Sequence, residues 1–204
     1  MPSASMPSWK AMLPRIARRS IALALAGAAF PADERAALLA RFPALAERRA
    51  TFVTLTLHGR LRGCIGSILP RRALIDDVIE NARAAALQDP RFEPLSPAEL
   101  EEVDIEVSLL SVPQPLPWRD VDDLRARIRP GIDGVVLRFD GRQATFLPSV
   151  WRQLPDFDVF FSHLCQKAGL PADCLRLHPD IFTYQAEKVE ESDAGDNGRE
   201  PFPP

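Results

Sequence analysis

The stretch 51–66, TFVTLTLHGRLRGCIG, alternates apolar and polar residues in two short runs and predicts a β-hairpin. In its first half Val53, Leu55 and Leu57 alternate with threonine, so one face of this strand is apolar and the other carries hydroxyl groups. The pattern therefore predicts a hairpin with one face on a hydrophobic core and one polar face.

The loop length decides which side chains share the polar face. A three-residue loop at 58–60 keeps the apolar residues of both strands together, whereas a two-residue loop would bury the Arg62 guanidinium among them, at a cost of several kcal/mol. We therefore expect the longer loop and place Arg62 and Cys64 on the polar face, although a bulge at Gly63 or Gly66 would change the register. The expected cross-strand pairs are Val53 with Ile65, Thr54 with Cys64, Thr56 with Arg62 and Leu57 with Leu61.

The rest of the chain mixes helical and strand periodicities without a repeating order, which predicts an α+β fold rather than a parallel βαβ fold. One domain is expected over 11–189, between a loose Ser/Pro-rich segment at 1–10 and a disordered acidic, Pro-rich tail at 190–204. Helices are predicted over about 11–27, 33–42, 73–88, 97–100, 121–129 and 156–167, and further strands over 103–110, 135–139, 142–147 and 181–188.

Composition limits the class of protein. A chain of 204 residues with 46% hydrophobic residues can bury a core as one domain or as one domain with two lobes. The net charge of −3 gives no general attraction to nucleic acid or to an anionic membrane, so the many arginines are read first as compositional bias. The three cysteines have no zinc-ligand spacing, and an odd number of cysteines without a secretory context argues against a disulfide framework and predicts a reducing, cytoplasmic compartment.

The segment 15–30 has two interpretations. Arg15, Arg18 and Arg19 precede an apolar run and imitate a secretory or twin-arginine signal. The same residues also form an amphipathic helix, with arginines on one side and apolar residues on the other, and we favour the helix. No stretch reaches the roughly 18 apolar residues that a membrane span requires.

Cys64 is the strongest candidate for a reactive residue. A reactive thiolate needs access and a positive neighbour, and a strand with Gly63 and Gly66 on either side and Arg62 two residues away supplies both. The two glycines are expected to leave room for a foreign group against the main chain around Ile65. The alternative is that cysteine here is a small core residue and the glycines are architectural.

Since no histidine is assigned to it, Glu106 and Asp104 are the candidate proton acceptors for Cys64, with Glu106 as the expected catalytic partner. Strand 103–110 alternates cleanly and presents Asp104, Glu106 and Ser108 on one face, where Glu106 and Ser108 could share a groove with Arg62 or form an ordinary exposed strand face. None of the three histidines can be paired with Cys64. Neither a phosphate-binding loop nor a metal-ligand spacing occurs, so no cofactor and no metal are expected.

Several short motifs together resemble one known family. They are Leu61–Gly66 (LRGCIG), Asp89–Phe92 (DPRF), Asp104–Ser108 (DIEVS), Gly131–Gly134 (GIDG) and Thr145–Trp151 (TFLPSVW). This set is similar to the AMMECR domain family over about 13–188, a family whose biochemical activity is not established. On its own, Asp89–Phe92 is interpreted as a helix stop and Thr145–Trp151 as core and strand end.

The resemblance implies two unequal lobes, each an antiparallel sheet with flanking helices, and a groove between them faced by the Arg62–Gly66 strand. Two functions follow: a small-molecule-binding enzyme or enzyme component that uses Cys64, or a non-catalytic module that binds partners. Members of the family are encoded beside, or fused to, a Memo-type protein and a radical S-adenosylmethionine protein, and these are the expected partners. Nucleic-acid binding is a lesser alternative, since it would require arginines gathered on one face.

Overall fold

The computed structural model describes residues 8–191, which form two compact units, 8–109 with 187–191 and 110–186. Mixed helices and two antiparallel sheets confirm the α+β fold class. The helices are α1 (Met12–Leu25), α2 (Ala32–Arg41), α3 (Leu74–Leu87), α4 (Pro97–Glu102), α5 (Val121–Arg127) and α6 (Phe157–Lys167). The strands are β1 (Thr51–Leu57), β2 (Arg60–Gly66), β3 (Asp104–Leu110), β4 (Gln114–Pro115), β5 (Gly134–Phe139), β6 (Arg142–Phe146), β7 (Asp180–Tyr184) and β8 (Ala186–Glu190).

The first unit is a four-stranded sheet in the order β2-β1-β3-β8 with helices packed on its apolar face. Alternation places Val53, Leu55, Ile105 and Val107 in a core that α1 and α3 close with their own apolar stripes. Residues with even numbers along β1 and β3 consequently face the opposite side of the sheet. That second, polar face carries the side chains in which the sequence indicated chemistry.

The first helix is part of this core. Leu13, Ile16, Ala17 and Ile21 of α1 are completely buried, as the amphipathic interpretation of the segment predicted. Within the part of the chain that the structure describes, no helix is both long enough and apolar enough to cross a membrane.

The hairpin register is correct at one end and wrong at the other. Val53 pairs with Ile65 and Thr54 with Cys64, as expected, but the register then shifts and Thr56 pairs with Leu61 instead of Arg62. The loop has two residues, and Arg62 is the extra residue of a β-bulge. The bulge lets the chain turn tightly without burying the guanidinium, which is the penalty on which the three-residue prediction rested.

Both glycines of β2 face atoms of the protein itself, so the expectation that they leave room for a foreign group is wrong. A Cβ on Gly63 would lie 2.2 Å from the Ala85 carbonyl oxygen of α3, well inside van der Waals contact. A Cβ on Gly66 would lie 2.2 Å from the Phe52 ring. Gly63 therefore permits α3 to approach the sheet closely, and Gly66 makes space for an aromatic side chain.

The second unit has its own sheet and its own core. Its strands follow the order β4-β7-β5-β6, and β5 and β6 form the expected hairpin over Asp140 and Gly141. Trp151 stacks on Phe160 with ring centroids 3.6 Å apart, and its indole nitrogen donates to the Asp133 carbonyl oxygen. Three aromatic residues of α6, Phe157, Phe160 and Phe161, lie in this second core.

Two predictions for the second half of the chain are wrong. The single closing strand over 181–188 is two strands, because β7 joins the sheet of the second unit and β8 joins that of the first, with a break at Gln185. Cys165 and Cys174 form a disulfide, although an odd number of cysteines argued against one. The two cysteines are nine residues apart, both are buried, and the bond ties α6 to the short turn Cys174–Leu177.

The ends of the expected domain lie partly outside the described residues, since 1–7 and 192–204 are not described. Within residues 8–191, Lys10 forms an ion pair with Glu187 and Arg18 forms one with Glu191. Both pairs connect α1 or the turn before it to β8 and the residue that follows it. Two residues assigned to the tail, Glu190 and Glu191, are consequently part of the first unit.

Candidate functional site

A row of polar side chains crosses the polar face of the first sheet. Cys64 on β2 lies opposite Thr54 on β1, and Thr54 lies opposite Glu106 on β3. The Thr54 hydroxyl is 3.4 Å from the Cys64 sulfur. The antiparallel register therefore brings together side chains that are ten and fifty-two residues apart in the sequence.

The main chain of Cys64 is held from outside the sheet. Its N–H donates to Asp89 Oδ2 at 2.9 Å, and its carbonyl oxygen accepts from Arg91 Nη2 at 3.3 Å. Asp89 and Arg91 in turn form a two-point ion pair, with Nε to Oδ1 at 2.9 Å and Nη2 to Oδ2 at 2.7 Å. We call Asp89 and Arg91 the clamp. Because β2 is an edge strand, the clamp satisfies the N–H and C=O groups of Cys64, with which another strand could otherwise pair.

The contacts of Asp89 keep its carboxyl group ionised. The pKa of Asp89 is lowered to about 2, first by the hydrogen bond from Arg91 and, against desolvation, by the N–H groups of Cys64 and Arg91. Asp89 is 4% exposed, so it is a buried carboxylate that stays ionised because both oxygens have donors. It holds Cys64 by a charge-assisted hydrogen bond.

Arg91 is the guanidinium that acts electrostatically on Cys64. The pKa of Arg91 is raised, first by its hydrogen bond to Asp89 and, after the opposing effect of desolvation, by the charges of Asp89 and Cys64. A cation beside a cysteine favours the thiolate over the thiol. Arg91, itself paired with Asp89, is therefore the arginine that contacts the Cys64 main chain, where the sequence suggested Arg62.

Arg62 has a different partner. Its guanidinium forms a two-point pair with Glu99, Nε to Oε1 at 2.8 Å and Nη2 to Oε2 at 3.1 Å. Glu99 also completes the capping box of α4 with Ser96, and its pKa is lowered to about 2, first by Arg62 and then by the Ser96 N–H. The bulge at Arg62 thus attaches β2 to the start of α4.

Glu106 lies on the far side of Thr54 from Cys64. Strands two apart in a sheet are separated by roughly 10 Å, and the Glu106 carboxylate bonds Lys188 Nζ at 2.5 Å, toward β8. The buried Ser108 hydroxyl donates to the other carboxylate oxygen at 3.2 Å. Any proton transfer between Cys64 and Glu106 would therefore pass through the Thr54 hydroxyl or a bound molecule.

A cavity of about 240 Å³ opens beside this row. Its lining consists of Thr54, Thr56, Asp104, Ile105, Glu106, Glu190 and Glu191. Glu106 is paired with Lys188 and Glu191 with Arg18, and the hydroxyl and carboxylate groups make the cavity wall polar. A small polar molecule in this space would contact Thr54 and Glu106.

The remaining candidates occupy different surroundings. Ile65 packs against the hydrophobic core through its side chain, and because the backbone groups of Cys64 point outward to Asp89 and Arg91, those of Ile65 point inward to β1. Gly63 and Gly66 are in contact with the protein's own atoms. Of the seven residues proposed from the sequence, Cys64, Glu106 and Ser108 share the polar face, whereas Arg62 is engaged with α4.

Sequence reasoning missed the clamp and the cation beside Glu106. Asp89 and Arg91 were interpreted as a helix stop, and α3 does end at Leu87, but their side chains reach back to β2. The available signal was the sequence Asp89-Pro90-Arg91 directly after a helix. That helix packs against the strand that contains Gly63. No pattern in the sequence indicated that Lys188 lies beside Glu106, because the strand over 181–188 was predicted without an assignment to either sheet.

The other shared motifs belong to the second unit. Asp133 accepts both from the Arg129 N–H and from the Arg129 guanidinium, and Gly134 lies under the Tyr184 ring, which a Cβ would meet at 2.4 Å. Thr145 bonds the Tyr184 hydroxyl at 2.9 Å, and burial raises the pKa of Tyr184. These contacts give the motifs Gly131–Gly134 and Thr145–Trp151 a structural role in the second unit.

The fold and the site define a two-sheet α+β protein with an edge-strand cysteine clamped by an Asp-Pro-Arg segment. A model of the AMMECR1 family matches residues 14–189, and the chain belongs to that family. A Methanothermobacter thermautotrophicus protein is 41% identical over 148 residues, 71% of this chain and 77% of the relative. A Thermofilum pendens protein is 34% identical and covers 91% of this chain and 92% of the relative.

A solved structure has the same fold. The crystal structure of an uncharacterised protein from Pyrococcus horikoshii superposes with a TM-score of 0.80 at 32% identity, covering 91% of this chain and 92% of that one. These proteins carry no assigned activity in their names. The comparisons therefore show the family and the fold.

Proposed function

We propose that the protein binds a small molecule on the polar face of its first sheet and acts on it, alone or as an enzyme component, through Cys64. The observation that carries the proposal is the clamp on the Cys64 main chain by Asp89 and Arg91. An ion pair between a buried carboxylate and an exposed guanidinium, with bonds to both backbone groups of one residue, fixes that residue more rigidly than strand pairing alone. Such rigidity is typical of a side chain whose position matters.

The surroundings support a reactive role for the thiol. Arg91 places positive charge next to Cys64, and the sulfur is half-buried on a hydroxyl-lined face rather than in the core. A thiol favoured as thiolate and reachable by a ligand is a nucleophile at neutral pH. Thr54 and Glu106 in the same row would position the ligand and accept a proton through it.

Protection of Cys64 from alkylation tests the proposal. The disulfide occupies Cys165 and Cys174, so alkylation by iodoacetamide without reductant reports on Cys64. Low-molecular-weight fractions of a cell extract are added, and the alkylation rate is followed by intact mass spectrometry. We expect one fraction to slow alkylation severalfold, and Thr54→Val to reduce that protection because the hydroxyl next to the sulfur is lost.

The matched control is Thr183→Val, a threonine on β7 of the second unit, which should leave protection unchanged. If no fraction alters the alkylation rate of the wild-type protein, the proposal fails. If Thr54→Val and Thr183→Val behave alike, binding occurs elsewhere on the protein.

A second candidate is a partner-binding module. The observation in its favour is Leu61, which the bulge turns onto the polar face beside Thr56 and which is 44% exposed. We propose a Memo-type or a radical S-adenosylmethionine protein as the partner, because of the family resemblance. Leu61→Ser should abolish co-purification with that partner while Cys64→Ala leaves it intact, and the reverse result would favour the small-molecule site.

A further inference from the structure

Two pairs of adjacent arginines, far apart in the sequence, lie side by side in the first unit. An isolated antiparallel bridge joins Arg48 to Ala73, and the Leu74 N–H donates to the Glu47 carbonyl oxygen at 2.8 Å. These contacts draw the dipeptides 48–49 and 71–72 onto one patch at the start of α3. We call Arg48, Arg49, Arg71 and Arg72 the double-arginine patch.

The patch carries more positive charge than its surroundings neutralise. Arg49 meets the Glu47 carboxylate only at 3.9 Å. Arg72 meets Asp77 at 3.4 Å, but Asp77 is buried and already accepts from Thr51 and Ser67. The patch therefore has two weakly compensated guanidiniums.

The other two guanidiniums have no compensating partner among residues 8–191. Among residues 8–191, the exposed side chains of Arg48 and Arg71 form neither an ion pair nor a hydrogen bond. Most other arginines of this acidic chain are paired, for example Arg18, Arg35 and Arg129. Four guanidiniums with only partial compensation on neighbouring segments repel one another, and an external anion bound between them would relieve that repulsion.

We propose that the double-arginine patch binds a small oligophosphate anion, carried by a nucleotide or present as inorganic polyphosphate. Planar guanidiniums match phosphate oxygens through paired hydrogen bonds, and four of them on two segments suit two or three consecutive phosphates rather than one. The neighbouring apolar residues Ile68 and Leu69 are only partly exposed, which argues against insertion into a membrane. The patch is independent of Cys64, and its binding does not require the proposed activity.

Isothermal titration calorimetry at low ionic strength tests the inference, with inorganic tripolyphosphate as the first probe. Arg48→Gln together with Arg71→Gln removes the two uncompensated charges at exposed positions where folding should not depend on them. We expect this variant to bind tripolyphosphate about tenfold more weakly or worse, because each lost guanidinium removes charge-assisted hydrogen bonds. Unfolding midpoints equal to the wild type establish that both proteins are folded.

The matched control is Arg152→Gln with Arg176→Gln, which changes the net charge equally but lies in the second unit. Adenosine triphosphate is the second probe: tighter binding than tripolyphosphate identifies a nucleotide as the source, and equal binding identifies the phosphate chain alone. Equal loss in the control variant, equal affinity for citrate, or no binding at all overturns the proposal. If a single-stranded oligonucleotide binds more tightly than tripolyphosphate, and Arg48→Gln with Arg71→Gln abolishes that binding, the ligand is a nucleic acid and not a small anion.

Discussion

At the scale of single residues, the chemistry of the candidate site depends on which arginine faces which acid. Arg62 and Arg91 both lie near β2, but Arg62 is bound to Glu99, while Arg91 is bound to Asp89 and to the Cys64 carbonyl oxygen. The cation next to Cys64 is therefore supplied by a loop that follows α3. Substitution of either arginine removes an ion pair, but only one of them changes the charge at the sulfur.

Asp89 gives a prediction for the pH dependence of stability. Its pKa in the folded protein, about 2, lies below the ordinary value of 3.8, so the stabilisation is complete above pH 4 and is lost as pH falls from 4 to 2. We expect Asp89→Asn to lower the free energy of unfolding at pH 7 by about 1–2 kcal/mol, allowing for the exposure of Arg91 to solvent. Urea unfolding at several pH values measures this difference.

The difference between wild type and Asp89→Asn should shrink as pH falls from 4 to 2 and approach zero below pH 2, because the wild-type carboxyl is then protonated as well. Asp180→Asn, on an exposed position of β7, serves as the control and should change stability little at any pH. If the difference in the free energy of unfolding between wild type and Asp89→Asn stayed constant from pH 7 to pH 2, Asp89 would stabilise the protein by its shape and not by its charge.

At the scale of elements, the contact between β2 and α3 sets the geometry of the site. Gly63 lets the Ala85 carbonyl approach the strand, and the same helix ends shortly before Asp89. The position of the clamp relative to Cys64 is thus fixed by a helix packed directly on the backbone of the neighbouring residue. A side chain at position 63 would push α3, and Asp89 with it, away from the sheet.

Gly63→Ala should therefore destabilise the first unit by about 2–4 kcal/mol, since a methyl group 2.2 Å from a carbonyl oxygen cannot be accommodated without backbone movement. Cys64→Ala is the matched neighbour on the same strand and should cost less than about 1 kcal/mol, because its side chain lies on the half-buried polar face. Chemical denaturation of both variants provides the comparison. Wild-type stability of Gly63→Ala would mean that the space beside Gly63 is open.

The elements show what a single sequence can predict. Strong periodicity located α1, α3, β3 and the hairpin of β5 and β6 within a few residues, because one-sided burial imposes that periodicity. The bulge at Arg62 was missed, since its cost depends on Glu99 thirty-seven residues away. The division between β7 and β8 was missed because strand propensity does not specify which sheet a strand joins.

The same limit applies to the candidate site. Cys64, Glu106 and Ser108 were found because alternation assigns residues to a face of a strand, and the pairing of Thr54 with both neighbours completes the row. Asp89, Arg91 and Lys188 reach that face or its edge from segments whose tertiary positions no local pattern encodes.

At the scale of the whole molecule, the chain builds two cores by different means. The buried core of the first unit consists of aliphatic residues and Met12 between a sheet and two helices, whereas that of the second combines aliphatic residues with five aromatic ones and contains the disulfide. The second unit is the smaller one, with 77 residues from Leu110 to Ala186. A covalent link within a small core is a common way to stabilise it.

Reduction of the disulfide should therefore destabilise the second unit. Closing a loop of about ten residues stabilises a fold by about 2–3 kcal/mol in the chain-entropy model. Cys165→Ala with Cys174→Ala should lower the thermal midpoint followed by tryptophan fluorescence, because Trp118 and Trp151 both lie in that unit. Cys64→Ser is the control that should not respond, and an unchanged midpoint in the double variant would show that packing alone maintains the second core.

The pH profile of Cys64 alkylation tests the central claim, that Arg91 rather than Arg62 makes Cys64 a functional thiol. Rates of reaction with iodoacetamide from pH 5 to pH 10 are measured for the wild type, Arg91→Gln and Arg62→Gln. We predict that Arg91→Gln moves the midpoint of the profile to higher pH and slows the reaction at pH 7 about tenfold, while Arg62→Gln keeps the wild-type midpoint. Identical profiles for the wild type and Arg91→Gln, or a larger shift in Arg62→Gln, would contradict the account.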